Sequence, residues 1–139
     1  MRASNFVLQS SIYLVANNTE LDLHNDYNFS SVEYNVTSQA VKLVWLRADG
    51  DWVSRDLPNR ATLTCCGVTH FESIPGDSSF LQSDRVCLSS FGYCTDEDWG
   101  RDQFWVEVIP EPSWAWSFQF QSKQEFRIRG EVASVELEP

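Results

Sequence analysis

The 139-residue sequence is poor in several things, and each shortage excludes a class of function. Lysine occurs only twice, at Lys42 and Lys123, and ten cations in all face twenty acidic residues, for a net charge of −10. Such a chain repels phosphate backbones and anionic lipid surfaces, so no nucleic-acid or membrane partner is expected. Six glycines leave little material for a phosphate-cradling loop, and neither a P-loop nor a Gly-x-Gly-x-x-Gly fingerprint is present. No apolar run approaches the ~20 residues that span a bilayer. The first residues, MRASNFVLQSSIYLVANN, interrupt their apolar positions with Gln9, Ser10 and Ser11 and lack a signal-peptide pattern, which predicts a cytoplasmic protein. In that compartment Cys65, Cys66, Cys87 and Cys94 are expected as reduced thiols, and the sequons at Asn17, Asn28 and Asn35 as by-products of Asn-rich turns.

What is abundant is aromatic and β-branched material in alternation. In Trp114-Ala115-Trp116-Ser117-Phe118-Gln119-Phe120-Gln121 the large rings take every second position, as a half-buried strand requires. Gln121-Ser122-Lys123-Gln124 reads as a hairpin loop into a strand carrying Phe126 and Ile128, and Glu131 to Glu138 reads as the third strand of a meander. Val32, Tyr34 and Val36 alternate ahead of a Thr37-Ser38-Gln39 turn, and Val41, Leu43 and Trp45 follow it. Asp49-Gly50 and Leu57-Pro58 mark turns, and Gly67, within an otherwise continuous Ala61–Ile74 run, marks a bulge or a bend between sheets. Ser83 to Tyr93 places Val86, Cys87, Leu88 and Phe91 on roughly one side and predicts a short helix. The expected architecture is all-β: one domain over residues 1–139, an antiparallel β-sandwich or small barrel with one short helix.

Three groups of residues compete as a functional site. Thr95 to Asp102 concentrates Asp96, Glu97, Asp98 and Asp102 around Trp99 and Gly100, with Phe104 and Trp105 beyond. The oxygen density suits a hard cation, but taking Asp96 as the first position of a calcium loop puts Arg101 where glycine belongs, so no metal is assigned. Carboxylates interleaved with aromatics suit a cationic partner instead, and Asp96, Glu97, Asp98, Trp99, Asp102 and Trp105 are the expected binding residues for a basic protein. The second group is Asp22-Leu23-His24-Asn25-Asp26 with His70, whose imidazoles, nearby carboxylates and thiols form the alternative, a small-molecule or metal site. Cys66 and His70, four apart in a strand, lie ~13 Å apart along its axis and cannot act as a direct thiol–imidazole pair. With no acyl-transfer motif, no catalytic residue and no cofactor is assigned, and the reading leans away from an enzyme. The third is the Trp114–Phe120 face, which reads as core before it reads as a sugar-stacking platform. A homodimer formed through a strand edge is compatible with either function.

Taken together, Leu23 to Tyr27, Gly67 to Phe71, Phe91-Gly92-Tyr93 with Asp96 to Trp99, Gln103 to Trp105 and the closing aromatic strand resemble a group of small acidic bacterial proteins of unknown function. The resemblance implies a bacterial, cytosolic, single-domain protein and carries over no activity.

Overall fold

The computed structural model describes residues 1–95, 105–106 and 110–139, and within them the chain is all-β. Its strands are β1 (Arg2–Ala3), β2 (Phe6–Leu8), β3 (Tyr13–Ala16), β4 (Thr19–Asp22), β5 (Tyr27–Asn35), β6 (Ala40–Arg47), β7 (Arg60–Cys66), β8 (His70–Ile74), β9 (Leu88–Cys94), β10 (Ala115–Phe120), β11 (Glu125–Arg129) and β12 (Val132–Glu138), with one short helix, α1 (Gln82–Arg85). They build a five-stranded sheet in the order β1-β12-β7-β6-β5, a four-stranded sheet β8-β11-β10-β9 and a three-stranded sheet β2-β3-β4. No helix among the described residues is long and apolar enough to cross a membrane.

The three sheets share one core. Trp45 of the five-stranded sheet meets Phe118 of the four-stranded one at 6.0 Å between ring centroids, and Phe29 of β5 reaches Phe120 at 4.8 Å. Phe6 of the small sheet packs edge-on against Trp116 at 5.5 Å. Trp116, Phe118 and Phe120 are therefore fully buried, and the alternation read in β10 marks the core rather than a ligand platform.

The bend expected at Gly67 is where the fold turns from one sheet to the next. Gly67 sits at φ +64°, in the left-handed region that costs a residue with Cβ ~1–2 kcal/mol, and the chain passes there from β7 in the large sheet to β8 in the four-stranded one. The antiparallel partner makes the same turn at Gly130, between β11 and β12, where an added Cβ would lie 3.0 Å from the Cys66 carbonyl. Glu131 N donates to Cys66 O at 3.0 Å and Thr69 N to Arg129 O at 2.9 Å, so the two crossings hold each other. The last three strands are accordingly not a meander. β10 and β11 form the predicted hairpin, but β12 crosses to pair with β7.

Two further expectations are corrected. The predicted helix over Ser83–Tyr93 survives only as α1, and Leu88–Cys94 is strand β9. The cause is a bulge at Ser89: Leu88 faces Phe120 while Ser90 already faces Gln119, so Leu88 and Phe91, three apart, both point into the core and imitate helical spacing. A second bulge, between Phe29 and Ser31, does the same in β5. Pairing is also not antiparallel throughout, because β1 runs parallel to β12.

Candidate functional site

Of the acidic and aromatic residues read as a binding segment, Asp96, Glu97, Asp98, Trp99 and Asp102 lie outside the described residues, and Trp105 lies within them. Trp105 and Tyr93 exchange two backbone hydrogen bonds of 2.9 Å, an antiparallel bridge on the edge of β9. Tyr93 is buried edge-on against Trp116 at 4.9 Å. Trp105 is 47% exposed, an aromatic residue whose backbone is fixed to the edge of β9.

The alternative site does not converge. His24 contacts Leu88, the first residue of β9, whereas His70 opens β8, and these strands are the opposite edges of the four-stranded sheet. Three strand spacings, ~14 Å, separate the two edges. Cys65 and Cys94 are buried and Cys66 is exposed; burial pushes the Cys65 thiol up to about 12. No group of three His, Cys, Asp or Glu side chains among the described residues is placed to hold a metal ion.

A thiol–imidazole contact does form, but between residues the sequence did not pair. Cys87 Sγ lies 3.5 Å from His24 Nδ1. That nitrogen is also 2.6 Å from the Leu88 carbonyl, which can only accept, so Nδ1 carries a proton and donates it there. It is a donor and cannot take the thiol proton. Burial and the carboxylates of Asp84 and Asp22 push the Cys87 thiol up, opposite to what a nucleophile needs. Asp22 serves the turn after β4: its Oδ1 accepts from His24 N at 3.0 Å and Asn25 N at 2.9 Å, and its Oδ2 from Asn25 Nδ2 at 2.8 Å. Burial alone would raise the Asp22 carboxyl, but these bonds and one from Tyr13 hold it below the ordinary range.

His70 belongs to a polar ladder across the outer face of the four-stranded sheet. Its Nε2 is 3.6 Å from Glu72 Oε2, which lies 3.8 Å from Arg127 Nη1. Arg127 donates from Nε to Glu125 Oε1 at 2.7 Å and from Nη2 to Oε2 at 3.2 Å, and Ser117 Oγ donates to the same Oε1 at 2.7 Å. Arg127 and Ser117 are buried, so this network fixes strands to one another.

The feature most clearly missed in the sequence is Trp52, which read only as part of an Asp-Gly turn. Its side chain is 73% exposed, and its Nε1 donates to the Asn25 carbonyl at 3.2 Å. The signal available was an aromatic directly after Asp49-Gly50-Asp51, the same mixture of ring and carboxylate that marked the later segment.

Comparison of the chain with protein-family models, with curated proteins and with solved structures finds no match.

Proposed function

We propose that this chain is a non-enzymatic interaction domain that docks a basic protein through Trp105 and the acidic segment Asp96, Glu97, Asp98, Trp99 and Asp102. The observation that carries the reading is the exposed Trp105 fastened to Tyr93 by paired 2.9 Å bonds. An aromatic anchor whose backbone is already ordered loses less entropy on binding than one in a free loop. The net charge of −10 accelerates encounter with a basic partner and disfavours nucleic acid and anionic membranes. The donor state of His24 Nδ1 and the raised Cys87 thiol favour binding over thiol catalysis.

The test is capture from a lysate of the organism that makes the protein, at about 20 mM and about 300 mM salt, where screening lengths differ severalfold. The wild-type chain should retain a basic protein in near-stoichiometric amount at low salt and release it at high salt. Trp105→Ala and the Asp96→Lys, Asp98→Lys double variant should not retain it. An identical retained set for wild type and variants would sink the proposal.

A further inference from the structure

Trp52 is the most exposed large apolar side chain among the described residues, yet it is held in place. Besides the Nε1 bond to Asn25, its ring lies directly over Gly50: a Cβ added to Gly50 would sit 2.2 Å from Cη2 and Cζ3. The loop beneath is fastened at several points. Ala48 and Val53 are buried, Ala48 N donates to Asp26 O at 2.8 Å, and Val53 N donates to Gly50 O at 3.1 Å.

The residues on either side of Gly50 are both acidic. Asp49 and Asp51 flank Gly50 and are exposed, and Asp26 adjoins the Asn25 carbonyl that the indole uses. Among the described residues none of these three carboxylates pairs with a cation. The nearest arginines in the chain are turned to main-chain oxygens, Arg47 Nη1 to Arg55 O and Leu57 O at 2.8 and 2.6 Å, and Arg55 Nη2 to Asp49 O at 3.2 Å. Burial and, after it, the Asp22 carboxylate push the Asp26 carboxyl above its ordinary value.

We infer that Trp52, with Asp49 and Asp51, is a receiving platform for one arginine side chain on a basic protein partner. A guanidinium stacks on an indole face and bonds carboxylates from the same plane, which a compact ammonium cannot do. The ring is already oriented, so little side-chain entropy is lost when the cation arrives. The inference rests on reading the chain as an interaction domain, but it uses a different surface from Trp105.

The probe is a capped peptide of four Gly-Arg repeats titrated into the full chain by calorimetry at low salt. Trp52→Ala should weaken its binding about three- to five-fold, the factor expected of an exposed cation–π contact. Gly50→Ala should weaken it comparably, because the new Cβ displaces the ring without changing any charge. Trp52→Phe should retain most of the affinity. Asp49→Asn with Asp51→Asn should weaken it more than Glu33→Gln with Glu136→Gln, which makes the same charge change elsewhere. If Trp52→Ala and Gly50→Ala, both still folded by near-ultraviolet circular dichroism, bind the peptide as wild type does, attraction is diffuse and the platform is refuted. Loss of peptide binding in these variants, with an unchanged lysate capture in the Trp105 variant, would keep the platform and discard Trp105 as the docking anchor.

Discussion

Asn5 does with a side chain what its neighbours do with backbone. Its Nδ2 donates to Val135 O at 2.8 Å and its Oδ1 accepts from Val135 N at 2.9 Å, which continues the β1–β12 ladder one step beyond the point where the main chain leaves for β2. Asn5→Ala should cost about 1–2 kcal/mol in urea unfolding, two bonds of about 1 kcal/mol each less what water restores. Asp26 offers the opposite case. Its folded carboxyl is raised above 3.8, so the folded state binds the proton more tightly and loses stability as pH rises through and beyond that value. Asp26→Asn should therefore raise the melting temperature at pH 7, and the gain should vanish below about pH 4. Asp22 has the reverse sign: its contribution is complete above 3.8 and is lost as the pH falls below it. At this scale the sequence was readable where backbone chemistry is local. Asn17 and Asn18 take φ of 51° and 60° in the two-residue turn joining β3 to β4, so the sequon at Asn17 has a turn-based reason to exist. Asn5 was not readable, because its partner is 130 residues away.

Strands were legible wherever alternation ran unbroken. β10, β11, β12 and the β5–β6 hairpin follow directly from the period of two, and Gly67 announced the sheet crossing. The period breaks at the bulges in β5 and β9, where one extra residue turns a spacing of two into three, and in β9 that spacing reads as a helix. Trp105 alone of the predicted binding residues falls among those described, and its bridge to Tyr93 depends on a return of the chain that no local pattern encodes. The energetic weight of the strands follows their burial. Phe118 is fully buried among Trp45, Phe91 and Trp116, and Phe118→Ala should cost about 3–5 kcal/mol, whereas Val36→Thr, in an exposed turn, should change stability by less than about 0.5 kcal/mol. Equilibrium denaturation of both variants checks the contrast.

For the molecule as a whole, composition made the class legible and topology stayed hidden. Nothing in a single sequence shows that β12 leaves its hairpin partners for β7, or that two glycines 63 positions apart, Gly67 and Gly130, share one corner. The net charge of −10 repels itself in the folded state, so the melting temperature should rise between about 20 mM and 300 mM sodium chloride, checked by calorimetry. The thiols should also react in an order set by the fold. Cys66 should label first with a thiol reagent, and Cys65 and Cys94 only on unfolding, which peptide mass spectrometry reads directly.

The parallel clasp of β1 on β12 has a consequence in time. Arg2 pairs with Val132, so β1 is made 130 residues before the strand it pairs with. At 5–20 residues per second that interval is on the order of 10 s. Throughout it Phe6, Leu8 and Leu14 belong to a small sheet whose apolar face meets Trp116 only when β10 arrives. A nascent chain stalled before residue 116 should present that face to chaperones, and one extended through residue 139 should not.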